Sequence, residues 1–400
     1  MKQPDLTRNG SDVATASPEP TPAQGLAVTL LTHERDFAAL RTEWNPLAAA
    51  HPIASAFLRY EWADAAWQWR RQDATLALLT VRGGNGELVG VAPLVRTQDR
   101  EIGLSFRRLE LLSVPDNQFA DILFAPDHLP AVAGAIAGWL RDNPQYWDQL
   151  TLRLLHNESP TAQTLSDALE QMGLLVVRQT NTVNYSIDLT GTWENYYRSR
   201  SRRLKKGNNL VANRLHRAGE LQLTCLKGRE IDEQTANIVR HLSAASWKQA
   251  TGTTLDQPGP KAFFDRLFQY ACQQEWLSVW LLTLDTLPVA AELQLEHKGL
   301  VHGLRSDFRT DLEALSPGTY LNWKIIEGLF DQGLKVYFLG PGENPYKRRW
   351  TDTGTPLTRL DAWSPALRGR LLRALRQWLR PTLRSARDHL QDLYHRARRL

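Results

Sequence analysis

Two short segments and one strand end in this 400-residue chain carry residues whose types and spacing could do chemistry. The first segment is Ser316-Pro317-Gly318-Thr319-Tyr320, where a strand pattern stops and a helix pattern begins. Ser316 suits an N-cap and Pro317 the first helical position, and Leu321, Ile325 and Leu329 then form a buried stripe. The amides of Gly318, Thr319 and Tyr320 are then expected to point outward at the positive end of the helix dipole, where phosphate binds. Glycine removes the side chain that would hold a phosphate off the backbone. A well-capped helix without a ligand fits the same residues.

The second segment, Gly340 to Trp350 (GPGENPYKRRW), follows an apolar strand. Gly340 and Gly342 allow a sharp exit and Pro345 stiffens it. Tyr346, Lys347 and Trp350 then fall at the strand's carboxyl end, where ligand clefts open in α/β sheets. Lys347 could pair with a phosphate or a carboxylate, Trp350 could wall a pocket, and Tyr346 could protonate a leaving group. A surface ion pair or aromatic packing is the alternative for each. Asp307, at the end of a strand, could take a proton from an attacking amine or hydroxyl, or cap the next turn. Glu292 on the preceding strand is an alternative base if it faces the cleft. His302 lies five residues before Asp307, an odd spacing that separates their faces unless a bulge intervenes.

Between Arg198 and Arg217 stand eight basic residues and no acidic ones, densest at Arg202, Arg203, Lys205 and Lys206. This is a solvated helix face or a site for an anionic partner: coenzyme phosphates, a lipid- or nucleotide-linked sugar, or transfer RNA. Trp247 and Lys248 end a helix before the ATGTTLDQPGP loop, a candidate cover for an acceptor. With Arg202, Arg203 and Trp350 they make a candidate substrate-binding set.

Other chemistries find little support. The sequence has no Gly-x-Ser-x-Gly elbow, no Gly-x-x-x-x-Gly-Lys-Ser/Thr loop and no metal-spaced His/Cys cluster. Its two cysteines, Cys225 and Cys272, read as small buried hydrophobes in a reducing compartment. Direct attack in a ternary complex is the simplest mechanism left, with positioning as the main contribution of the protein.

The elements that must hold these residues repeat. The stretch ALLTVRGGNGELVGVAPLV in the first half and WLLTLDTLPVAAELQLE in the second both read as strand–turn–strand. WDQLTLRLL and LKVYFLG each form a strand after a helix. We read an α/β fold of two modules related by duplication, residues 26–182 and 183–364, with mixed, mostly antiparallel sheets flanked by helices. Residues 1–25 read as a disordered leader. The first module lacks an equivalent of SPGTYL and reads as a degenerate copy that walls the acceptor cleft.

The pieces SRRLKKGNNLVANRL, SWKQATG, PVAAELQLEHKGLVHGLRSDF, SPGTYL and FLGPGENPYKRRW, in this order, resemble the CelD-type, cellulose-biosynthesis-associated GNAT-fold acyltransferases. These are related to the Fem-type peptidyltransferases, which also carry paired GNAT-like modules. The resemblance spans about residues 30–362. It implies an acyl-coenzyme A co-substrate and transfer to an amine or hydroxyl of an envelope or exopolysaccharide precursor, a small-molecule or glycan- or lipid-linked acceptor; the residues themselves point to no metal. Together with the reading of the residues, the resemblance makes Ser316, Gly318, Thr319 and Tyr320 the candidate cofactor site and Asp307, Tyr346 and Lys347 the candidate catalytic residues, and it adds weight to Lys347 and Tyr346. Two alternatives stay open: a Fem-type transferase using aminoacyl-tRNA, and a non-catalytic partner of a membrane polysaccharide synthase.

The charge is unevenly placed. From Ala366 to Leu400 ten arginines face two aspartates, a local +8, which leaves −3 for the rest of a chain whose net charge is +5. The body is therefore not a generally basic, nucleic-acid-coating protein. The tail, residues 365–400, has Leu371, Leu375, Trp378 and Leu379 at helical spacing, then Leu383, Leu390 and Tyr394 beyond Pro381. Such a basic amphipathic helix can lie on an anionic membrane or pack on the body or a second subunit. With no long apolar run and no signal-like N-terminus, the sequence reads as cytoplasmic, peripheral to the inner membrane at most.

Overall fold

The computed structural model describes residues 25–53 and 55–379. The first half opens with β1 (Ala27–Leu31), α1 (Glu34–Ala39), α2 (Arg41–Ala50) and α3 (Tyr60–Arg70). Six strands follow: β2 (Ala74–Leu76), β3 (Leu78–Arg82), β4 (Leu88–Ala92), β5 (Leu94–Glu101), β6 (Leu104–Leu111) and β7 (Leu123–Phe124). Then come α4 (Leu129–Asp142), β8 (Gln149–His156), α5 (Thr161–Gln171) and β9 (Leu175–Asp188).

The second half starts with α6 (Trp193–Ser199), α7 (Arg202–Ala218), β10 (Leu221–Lys227), α8 (Glu233–Ala244) and α9 (Pro258–Gln273). Three antiparallel strands follow, β11 (Leu277–Leu284), β12 (Leu287–His297) and β13 (Leu300–Phe308). The chain closes with α10 (Pro317–Phe330), β14 (Val336–Pro341), α11 (Pro345–Trp350), β15 (Gly354–Trp363) and α12 (Leu367–Ala374).

The strands form a four-stranded sheet, β1-β3-β4-β7, and an eleven-stranded sheet, β10-β11-β12-β13-β14-β9-β15-β8-β6-β5-β2. The expected mixed α/β class is what is observed. Most neighbours are antiparallel, and each half contributes one parallel pair after a helix: β6 with β8, and β13 with β14. β15 lies between β9 and β8, so the chain returns from the second half to complete the sheet of the first. β9 is one long strand: β15 pairs with it from Leu175 to Tyr185, and β14 takes over at Asn184–Asp188. Position 182/183 falls inside it.

One apolar cluster joins the halves, with Trp62, Phe263, Phe264, Leu293 and Leu295 among its members. A second fills the first half around α4 and α5, and a third lies under α7 and α10. β12 alternates between the first and third: Ala291, Leu293 and Leu295 face the inter-module core, while Ala290 faces α10. Burial of Leu372 seats α12 on the body; Arg368 of α12 pairs with Asp148, and Arg376 just beyond its end pairs with Asp99 and Glu101. A π-helical turn, Leu375–Leu379, follows it. Leu383, Leu390 and Tyr394 lie outside the described residues, as do residues 1–24. Among the described residues, no helix is long and apolar enough to cross a membrane.

Candidate active site

β13 and β14 are paired only over Leu300–His302 and Val336–Phe338. Beyond that the strands part, and a cleft of about 630 Å³ opens between them. The start of α10, the inner face of α7, α11 and a loop from the first half, Pro115–Gln118, complete its walls. Parting two strands strands their main-chain groups, and unpaired buried carbonyls are costly. Two side chains supply the missing donors. Gln118 Nε2 donates to the Gly303 carbonyl on β13 at 2.9 Å. Lys347 Nζ donates to the carbonyls of Gly340, Pro341 and Gly342 on the other lip at 2.8, 3.1 and 3.1 Å. Lys347 is buried, and burial pulls its pKa down to about 8. Its three N–H groups are committed to carbonyls, so the geometry gives it a holding function at the strand exit.

The cleft floor is a buried polar network. Glu292 is 3% exposed and takes hydrogen bonds at Oε1 from Tyr337 Oη at 2.5 Å and Gln294 Nε2 at 2.8 Å. Burial lifts its pKa above the ordinary carboxylate value, against the pull of these hydrogen bonds. Gly303 leaves room for it: a Cβ there would stand 3.0 Å from Tyr337 Oη and 3.1 Å from Glu292 Oε1. A register shift between β12 and β13 sets the faces. Glu292 and Gln294 oppose Ser306 and Gly303 on the cleft side, while Ala291, Leu293 and Leu295 oppose Asp307, Arg305 and His302 on the other. Leu304 is the extra residue, so His302 and Asp307 share a face after all.

Asp307 lies off the cleft wall, with Oδ1 at 2.7 Å from Lys248 Nζ. His302 is buried, stacks on Phe338 at 4.7 Å, and meets Gln118 Oε1 through Nδ1 at 3.0 Å. Burial depresses its pKa to about 3. Tyr346 lines the cleft, and burial, then the charge of Glu292, raises its pKa and keeps the phenol protonated.

The start of α10 differs from expectation in detail. Ser316 does occupy the N-cap, but in the left-handed region (φ 58°, ψ 49°), and its side chain makes no cap bond. A 3₁₀ turn, Thr310–Leu315, runs directly into it and imposes that conformation. The amides of Thr319 and Tyr320 are not free: both reach the Ser316 carbonyl, at 3.1 and 3.4 Å. Among the described residues the Gly318 amide has no acceptor. Ser316, Gly318 and Thr319 line the cleft, whereas Tyr320 turns into the core beneath α7 and α10. Gly318 has a packing reason too, since a Cβ there would lie 2.9 Å from Phe308 Cδ1.

Trp247 and Lys248 line the cleft, with Trp247 55% exposed at its rim. Trp350 is buried in the wall, stacked with Tyr197 at 6.4 Å. Arg202 and Arg203 point to solvent, while Leu204 and Asn208 of the same helix face the cleft. Sequence reasoning missed Gln118, Asn208, Asn322 and Arg349 as cleft residues. Pro115-Asp116-Asn117 marks a turn, but nothing local tells how far it reaches. Arg349 could have been found in the Tyr346–Trp350 segment; it forms no ion pair among the described residues.

Residues 198–348 match the acetyltransferase (GNAT) domain. Glu292, Gly318, Tyr346 and Lys347 lie within this GNAT domain, and Gln118 reaches it from outside. FemX is similar in structure at 11% identity, with a TM-score of 0.52 over 80% of this chain and 95% of that one. The C-terminal domain (DUF2156) assigned to a lysylphosphatidylglycerol synthetase of Agrobacterium fabrum is similar at 12% identity, with a TM-score of 0.50 over 84% and 95%. At such identities the likeness is one of fold: a GNAT-type acyltransferase fold with a Fem-like neighbour. No curated protein sequence matches the chain.

Proposed function

We propose that the protein transfers an acyl group from a coenzyme A thioester to an amine or hydroxyl of an envelope or exopolysaccharide precursor. The supporting observation is the single cleft that runs from the free Gly318 amide to Glu292 and Tyr346. The diphosphate would rest on the Gly318 amide and the Thr319 hydroxyl, with the pantetheine arm between β13 and β14. The acceptor nitrogen or oxygen attacks the thioester carbonyl carbon, its proton passes to Glu292, and the C–S bond breaks. Tyr346 protonates the departing thiolate. Glu292 takes the base role in preference to Asp307, because its carboxylate faces the cleft and has a raised pKa. Lys347 and Gln118 act as positioning residues that hold the lips apart. Trp350 walls the acyl pocket, Trp247 and Lys248 border the acceptor, and the first module supplies its far wall through Pro115–Gln118. The CelD-type resemblance supports the acceptor class.

A second reading, aminoacyl-tRNA as donor, draws on the eight basic residues from Arg198 to Arg217, none of which pairs with a carboxylate among the described residues. The test is thiol release from acetyl-coenzyme A against a panel of aminosugars and hydroxylated glycans. Release that depends on acceptor and on Glu292 supports thioester chemistry. Activity only with charged transfer RNA moves the assignment to the second reading.

A further inference from the structure

Independently of that chemistry, we infer that the tip of the β5–β6 hairpin and the outer face of α12 form a docking surface for an anionic lipid bilayer. The hairpin closes with Glu101 opposite Leu104, so Ile102 and Gly103 form a two-residue turn. Ile102 stands there at φ 49°, a region that favours Asn or Gly and that a β-branched residue enters only under strain. It is 62% exposed, so the strain gains no core packing. A strained, exposed apolar residue at a loop tip points to a role outside the fold.

Leu104 is exposed beside it, and Leu367 and Leu371 are exposed one turn apart on α12. The two elements are fastened together. Arg368 donates to the Ser105 carbonyl and lies over the Phe106 ring at 5.8 Å, and Arg376 pairs with Asp99 and Glu101. The four exposed apolar side chains therefore project from two elements that are tied to each other.

The rim decides the occupant. Asp99, Glu101 and Asp148 are engaged by Arg376, Arg107 and Arg368. Arg100, Arg370 and Arg373 pair with no carboxylate among the described residues. A second copy packed two-fold on this face would bring arginine against arginine. An anionic membrane offers apolar depth and opposite charge together. The sequence from Arg380 onward adds six arginines against two aspartates, the same sign.

The test is co-sedimentation of the full chain with vesicles of phosphatidylcholine alone and with about one third phosphatidylglycerol, for the parent and for Ile102→Asn/Leu367→Gln. The parent is expected to sediment with the anionic vesicles only, and the variant to bind at least about tenfold more weakly. The variant's thermal midpoint should hold or rise, because Asn accepts the turn geometry. Equal binding by both proteins, or a parent that ignores the vesicles, overturns the inference. So does a drop in the variant's stability that accounts for the loss, or a dimer that the substitutions dissolve.

Discussion

The hydroxyl of Tyr337 on β14 lies 2.5 Å from Glu292 Oε1 on β12, spanning the strand between them beneath the parted lips of the cleft. Gly303 on that intervening strand makes the contact sterically possible. The pair fixes one carboxylate oxygen and leaves the group on the cleft floor.

Glu292→Gln keeps an oxygen to accept from Tyr337 and removes only the basicity. Turnover is expected to fall by about 10²- to 10⁴-fold, the usual worth of a general base. Coenzyme A affinity should stay within about twofold, since the change spares ground-state binding. Burial raises the Glu292 pKa, so the acidic limb of the parent's pH profile should lie above the ordinary carboxylate range. Steady-state kinetics with parallel ligand titration checks both.

Gln118 joins the modules at the point where strand pairing stops. Besides Gly303 it meets His302 Nδ1 at 3.0 Å and Asn184 Nδ2 at 3.3 Å. Gln118→Leu keeps the bulk and strips the partners, at a cost of about 1–3 kcal/mol. Urea denaturation measures the loss. An unchanged midpoint would mean the lip is held by something else.

His302 gives the acid limb of stability. Its folded pKa is about 3 against an ordinary 6.5. Below pH 6.5 the unfolded chain binds a proton that the folded protein refuses. Stability attributable to His302 is therefore intact above that pH and drains away as pH falls toward 3, at up to about 1.4 kcal/mol per unit. His302→Phe should flatten the stability profile between these values, whatever it does to absolute stability. Denaturation midpoints across the range test the slope.

Gly318→Ala places a methyl 2.9 Å from Phe308 Cδ1. It should destabilise by about 1–3 kcal/mol. Phe308→Leu in the same chain should recover most of that, a coupling that a double-mutant cycle reads directly.

Much of the site could be read locally. The Ser316–Tyr320 start, the Tyr346–Trp350 segment and the strand–turn–strand repeat all depend on short-range signals: proline, glycine, and apolar period. What was not legible depends on pairing between distant segments. β15 inserts beside β9 and β8, some two hundred residues away, and no local pattern encodes that partner. The extra residue at Leu304 reverses strand parity, which is why alternation misjudged His302 and Asp307. The Tyr320 amide is not free even by local rules, since the carbonyl of an N-cap at Ser316 ordinarily accepts that first intrahelical bond; the further bond from Thr319 to the same carbonyl comes from the tight local turn. Lys347 looked like a ligand to anions; three carbonyls at a strand exit take its N–H groups first.

The central claim is that the helix start at Gly318 and Thr319 holds the diphosphate of a coenzyme A thioester. Calorimetric titration of coenzyme A into the parent and into Thr319→Glu tests it most directly, because the exposed Thr319 tolerates the new side chain while a carboxylate would repel the diphosphate. We predict binding by the parent and a loss of at least about 1.4 kcal/mol, tenfold, in the variant. Equal affinity in the two proteins, or no binding to the parent, would contradict the account.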